Sequence, residues 1–387
     1  MKISFRSLPY LAAALFTGVT PTASVFFGIL DIPIPSYLLI TIVSIGLIVC
    51  VLCFSDRAYL TRLNYLSFSL LVFLMVSTYS YVNAGDYVAP ETKIVSLFYL
   101  VFIPLFMISI LFMSSRHDQA NDLIVANQIY FKIYTYSAAL FLVFLFLFRS
   151  AGDNGRIVLP GLENPIWISR HIGAALLVYF AHIYLSQKEA SFKRILFCLL
   201  LLFALFYSGS RAPLIACLVT GLLFVLSQKG FSKLKLLVTV GAVTLVYMLA
   251  SVFLNNYVFD TGFYSVYDRL KLWTFILDLP ISFLGHGLSS FGRVYIGEDV
   301  NYYPHNFLAE MYFEYGIIGI FFAALVVLSV LRTYGHSIAG ALALFYLINS
   351  MASGDLPNNG SLLLSVFVAL KLHYFPRKRL SGNPPGN

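Results

Sequence analysis

Charged side chains are scarce in this chain. Asp, Glu, Lys and Arg make up 11% of its 387 residues, against about 25% in a typical soluble domain. Apolar residues supply 59%, more surface than a water-soluble fold can hide. Cysteine is sparse too: Cys50, Cys53, Cys198 and Cys217 all sit inside apolar runs. Cys50 and Cys53 have CxxC spacing, but no second pair completes a zinc site, so core packing is the expected role. The chain has no DxD motif, no His-rich cluster and no glycine-rich phosphate loop. It also lacks an aromatic and basic stripe on a soluble face, so the formal charge of +8 does not point to nucleic acid.

What the chain does have is apolar runs of bilayer-crossing length from end to end. They fall at roughly 9–29, 36–54, 64–82, 94–112, 131–148, 167–186, 193–207, 211–228, 234–254, 306–331, 336–350 and 360–375. This pattern predicts an all-α polytopic membrane protein of about 12 transmembrane helices, with residues 1–387 as one integral membrane domain. The start, MKISFRSLPYLAAALFTGVTPTAS, has the basic-then-apolar form of a signal peptide; eleven further runs favour a retained first helix.

The connections alternate in character. One set carries Lys2, Arg6, Arg57, Arg62, Arg116, Lys132, Lys188, Lys193, Arg194, Lys229, Lys233, Lys235, Arg332, Arg377, Lys378 and Arg379. That bias assigns this set, and both termini, to the cytoplasm. The other side has one long connection, about 255–305. It contains YSVYDRLKLWTF and FLGHGLSSFGRV, too aromatic for a disordered linker, and is expected to fold as short amphipathic helices forming a lid or cup.

The outer side holds six arginines, at 149, 156, 170, 211, 269 and 293, but only two lysines, Lys93 and Lys271. Orientation does not require them. The guanidinium fork binds phosphate or carboxylate at two points and keeps its charge, so an outward cluster suits a pyrophosphate or an acidic sugar. For Arg149, Arg156 and Arg293 an ordinary loop or headgroup role is the expectation. Arg211, in the tight turn YSGSRAPLIA, and Arg269, in YDRLKLW with Asp268 and Trp273, are the functional candidates.

The stretch YPHNFLAEMYFEYGIIG, residues 303–319, opens a membrane helix yet carries His305, Asn306, Glu310 and Glu314. A charge near the bilayer centre costs about 2.5 kcal/mol or more. The two glutamates are therefore expected to face a polar cavity, to be protonated, or to pair with arginine. His305 is a candidate proton acceptor near neutral pH. The spacing of His305 and Asn306 to Gly316 and Gly319 is specific.

These elements resemble the O-antigen ligase and O-antigen polymerase superfamily of membrane glycosyltransferases. SGSRAPLIA looks like the family's serine–arginine turn, YDRLKLW like its loop arginine element, and PHNFLAEMYFEYGIIG like its histidine motif. GLENPIWISR and GHGLSSF look like further segments seen in members. The resemblance is strongest from about 207 to 319. It implies a GT-C-like fold in the bacterial inner membrane with the active site facing the periplasm, and no cofactor or metal. It implies an undecaprenyl-pyrophosphate-linked glycan donor, a glycan acceptor and membrane lipid as partners. A chain-length regulator is a candidate further partner.

Under that resemblance His305, Arg211 and Arg269 are the expected catalytic residues. Arg170, Asn164, Asn306, Glu310, Glu314, Asp268, Trp273 and Tyr303 are expected to bind substrate or to position those three. Extension of one lipid-linked repeat unit by another is the first expectation, because YPHN and LENPI look more like polymerase members. Ligation to the lipopolysaccharide core is the alternative. A lipid-linked glycan flippase is the alternative from another class, but the polar groups gather at one face and no repeated halves are seen, unlike transporter midplane sites.

Overall fold

The computed structural model describes residues 7–32, 65–85, 87–114, 119–151, 157–162, 164–186, 192–227, 262–300, 302–352 and 356–374. The expected spans 36–54 and 234–254, with Cys50, Cys53 and Arg156, lie outside the described residues.

The described chain is a helical bundle. Its elements are α1 (Leu8–Gly18), α2 (Thr20–Ile29), α3 (Tyr65–Ala84), α4 (Val88–Leu97), a π-helical turn (Phe98–Phe102), α5 (Ile103–Ser114) and α6 (Gln119–Phe148). A two-stranded antiparallel ribbon, β1 (Ser150–Ala151) and β2 (Ile157–Val158), leads to α7 (Pro165–Ser186). Then come α8 (Phe192–Tyr207), α9 (Arg211–Leu226), α10 (Gly262–Asp278), α11 (Phe291–Tyr295), α12 (Phe307–Thr333), α13 (Ile338–Ser350), a 3-10 turn (Pro357–Asn359) and α14 (Gly360–Tyr374). Each expected span outside the masked stretches coincides with one of these helices or with a helix pair.

Four helical stretches are long and apolar enough to cross a membrane: Val88–Phe112, Asn121–Phe148, Pro165–Leu185 and Phe307–Thr333. The pair α1 and α2, bent by 50°, makes a fifth if counted as one span. The expected dozen full-length spans is therefore not reached among the described residues. The apolar runs are long in sequence, but turns cut the helices short: the 16 residues of α9 rise only about 24 Å, less than a hydrocarbon core of about 30 Å.

Helices α7 and α13 lie at the centre. Every residue of α13 except Ile348 is buried, and it packs on α14, α9, α7 and α12. Lipid gives apolar side chains no reason to leave it, so close packing of small residues has to hold such helices together. Ala339, Gly340, Ala341 and Ala343 on α13, and Ala174, Ala175 and Ala181 on α7, are all buried. By contrast α8 turns Phe192, Leu199 and Phe203 outward, as a lipid-facing helix would.

One helix is broken on purpose. Within α12, Gly316 has φ 62° and ψ −143°. The loop between α10 and α11 fills the gap. The amide of His286 donates to the Phe313 carbonyl at 2.8 Å, and Ile317 donates to the Ser282 carbonyl at 3.2 Å. Ser80 Oγ donates to the Glu314 carbonyl at 2.9 Å. Backbone groups released by the break thus regain partners, as an apolar medium demands. A Cβ on Gly316 would lie 2.3 Å from the Ser282 carbonyl oxygen, and one on Gly319 only 1.9 Å from that of Met311. The paired glycines of the histidine motif are the imprint of this break.

Gly316→Ala is expected to lower the thermal stability of the detergent-solubilised protein by a ΔΔG of more than about 1 kcal/mol, because alanine is forced to positive φ against a fixed backbone. Gly221→Ala, whose Cβ meets nothing within 4 Å, is the control. It should be neutral or stabilising by up to about 1 kcal/mol.

Candidate functional site

Three connections and two helix starts meet at one end of the bundle, joined by specific bonds. Ser208, in the turn before Arg211, shares a 2.6 Å hydroxyl contact with Ser169 of α7. Arg170, the next residue, donates to the Asn358 carbonyl at 3.3 Å. Asn306 Nδ2 donates to the Met351 carbonyl at 3.1 Å. Trp273 Nε1 donates to the Pro304 carbonyl at 2.9 Å. The serine–arginine turn, the loop helix α10, the histidine segment and the residues joining α13 to α14 are thereby tied into one rim.

His305 is held in a left-handed conformation at φ 55°, which costs on the order of 1 kcal/mol or more for a non-glycine residue. The residues on either side are anchored. Pro304 accepts from Trp273, and Asn306 caps α12, its Oδ1 accepting from Leu308 at 2.9 Å and Ala309 at 3.1 Å. The half-buried imidazole stands edge-to-face with Tyr303, centroids 4.5 Å apart.

Arg269 is half-buried on α10, with Asp268 exposed beside it. Four residues separate Arg269 from Trp273, so the two share a helix face, and that face meets the histidine segment. Arg211 is exposed as the first residue of α9, and Ser210 before it is extended and makes no side-chain cap bond. Pro213 fits the first turn, where helices tolerate proline. Arg211 thus adds its charge to a helix N-terminus, a position that favours anions.

The glutamates depart from expectation. Glu310 and Glu314, one turn apart on α12, are 0% and 1% exposed, and their partner is a lysine rather than an arginine. Lys93 Nζ of α4 bonds Glu310 and lies 2.5 Å from Glu314. Glu310 Oε1 also accepts from the Leu356 amide at 3.0 Å, and Glu314 Oε1 from Ser289 at 2.9 Å. Sealed in this way, they are out of reach of a substrate and instead fix the base of the histidine helix.

Arg293 and Arg149 make contacts within the protein. Arg293 donates to the Ala84 carbonyl at 3.0 Å and lies 4.1 Å from the Tyr87 ring; Arg149 lies 5.0 Å from the Tyr207 ring. Asp299 was not anticipated. Its carboxylate caps α4, accepting from Val88 at 2.9 Å and Ala89 at 3.3 Å.

Asn164 caps α7, accepting from Ile166 at 3.0 Å. With Arg170 it lines a cavity of about 480 Å³. Arg211, Arg269 and His305 are not among the residues lining that cavity. Burial lowers the pKa of His286, in the loop against α12, from its usual value, and its ring stacks on Phe313 at 4.8 Å. No group of three or more His, Cys, Asp or Glu side chains able to hold a metal occurs among the described residues.

Residues 196–324 match a family model described as O-antigen ligase. That match supports a place in the O-antigen ligase/polymerase superfamily. No curated protein and no solved structure matches the chain. The O-antigen ligase match includes Arg211, Arg269, His305 and the α12 break, while Lys93, Arg170 and residues 351–359 lie outside it. It supports a ligase- or polymerase-type glycan transfer acting on lipid-linked glycans in a membrane.

The sequence carried a signal for Lys93 that went unused. A lone lysine in the apolar stretch KIVSLFYL requires a partner inside the membrane, and two glutamates at i and i+4 were the candidates on offer. Lys93→Met should destabilise the protein by about 3–5 kcal/mol, because two carboxylates are left buried without their cation. Adding Glu310→Gln and Glu314→Gln should restore most of the loss in a detergent thermal-denaturation assay.

Proposed function

We propose that this protein transfers oligosaccharide repeat units en bloc from undecaprenyl pyrophosphate onto a sugar hydroxyl of another lipid-linked repeat unit, at the periplasmic face of the inner membrane. The observation that carries this reading is the rim just described. Three segments, each with one of Arg211, Arg269 and His305, are fastened to a common end of the bundle, and all three lie inside the O-antigen ligase match.

The chemistry follows from the donor. The bond between the anomeric carbon and pyrophosphate breaks as the acceptor oxygen attacks that carbon. The acceptor proton passes to the His305 imidazole, and the electron pair leaves with the lipid pyrophosphate. Prearranged positive charge stabilises that leaving group best where water is excluded. Arg211 and Arg269 take this role, Arg211 with the N-terminus of α9 behind it. Trp273 and Asn306 position the histidine segment, and Tyr303 restrains the ring. The glycosyl bond energy is stored in the donor, so no nucleotide is required.

A ligase reading, with the lipopolysaccharide core as acceptor, is favoured by the description of the matched family. Purified protein supplied with lipid-linked repeats alone separates the two. Elongation without lipopolysaccharide is the expected result; product formed only when lipid core is added would establish the ligase instead. His305→Ala and Arg211→Ala should each reduce transfer by about a hundredfold or more while the protein stays in the membrane. Undiminished transfer by either variant would remove that residue from the scheme.

A further inference from the structure

The cavity beside Arg170 is not explained by the transfer chemistry. It has a volume of about 480 Å³ and is walled by α1, α2, the π-helical turn, α7 and the start of α14. Three irregular segments border it: the 50° bend between α1 and α2, the π turn that carries Tyr99, and the 3-10 turn that carries Asn358. π turns occur often at functional sites. Helices broken around a common space make room that regular helices would close.

Its chemistry is selective. No aspartate or glutamate occurs among the described lining residues. Arg170 is 6% exposed, and its guanidinium carbon lies 5.5 Å from the Trp167 ring. His171 is 3% exposed; its Nε2 lies 3.3 Å from Thr22 Oγ1 and 3.4 Å from Ser137 Oγ, whereas its buried Nδ1 has no partner among the described residues. A buried polar atom of this kind normally meets a partner. Neutral groups such as Thr17 and Asn358 complete the polar lining.

We infer that this cavity is a glycan subsite that takes one sugar ring bearing a single negative charge, of the hexuronate type. Arg170 meets the carboxylate in two-point fashion, Trp167 and Tyr99 supply apolar surface for the ring, and His171 Nδ1 bonds a hydroxyl. One permanent cation among many neutral hydrogen-bonding groups matches one carboxylate better than a multiply charged pyrophosphate. The inference rests on the glycan-transfer reading for its substrate class. It adds that the protein selects repeat units by an acidic sugar.

The chain has two tryptophans, so Trp273→Phe protein reports emission from Trp167 alone. Titration of that protein with glucuronate should change the emission saturably, and glucose should bind at least tenfold more weakly. Inorganic pyrophosphate should leave the signal unchanged. Arg170→Gln should abolish the preference for glucuronate over glucose. Calorimetry on the unaltered protein repeats the comparison if Trp273→Phe fails to fold. Equal responses to glucose and glucuronate, a response to pyrophosphate alone, or no saturable response up to the solubility of the salt would overturn the subsite. Glucuronate binding without transfer of lipid-linked glycans would uphold the subsite and refute the transfer reading. Transfer without glucuronate binding would do the reverse.

Discussion

The ammonium of Lys93 sits between the carboxylates of Glu310 and Glu314, with all three side chains inside the bundle. Taking ions out of water costs several kcal/mol each, and the attraction between them offsets this only when geometry and further hydrogen bonds are good. Both carboxylates receive such bonds, from the amides of Leu356 and Ser289. Four separate pieces of chain are therefore referred to one charge: α4, the first half of α12, the loop before α11 and the residues entering α14. Such an arrangement adds little to stability compared with packed apolar groups. What it contributes is register, since a shift of any of these pieces would part the ions from their present neighbours.

Register matters because the histidine segment has little structure of its own. His305 lies outside any helix, in a backbone conformation unfavourable to it, and its position is inherited from what flanks it. The ionic cluster sets α12 below it, and Trp273 of α10 sets the chain above it. The serine–arginine turn is referred to the same rim through α7. Chemistry distributed over several segments is thus made coherent by bonds between their backbones and a few buried polar side chains.

The helical class and most helix positions were legible in apolar run length alone, since lipid permits little else. The motifs around Arg211, Arg269 and His305 were legible as costly groups gathered on one side. Apolar run length does not reveal where a helix bends or stops: α1 and α2 are bent apart within one run, and α9 ends after 16 residues. The partner of the glutamates was missed because Lys93 and Glu310 are 217 residues apart, and no local pattern links them. Asn164 is an expected substrate contact, and its side-chain oxygen also caps α7. In a single sequence, a side chain that satisfies backbone looks the same as one that awaits a ligand.

The interruption of α12 has a further consequence. The loop before α11 serves as the missing stretch of that helix's hydrogen-bond ladder, so it cannot swing aside without stranding peptide groups in an oily interior. The loop is also bonded to α3, Leu288 donating to the Ser80 carbonyl at 3.1 Å, and the α11 segment after it is clamped to the end of α3 and the start of α4 by Arg293 and Asp299. These bonds make this stretch of chain a fixed wall rather than a hinged door.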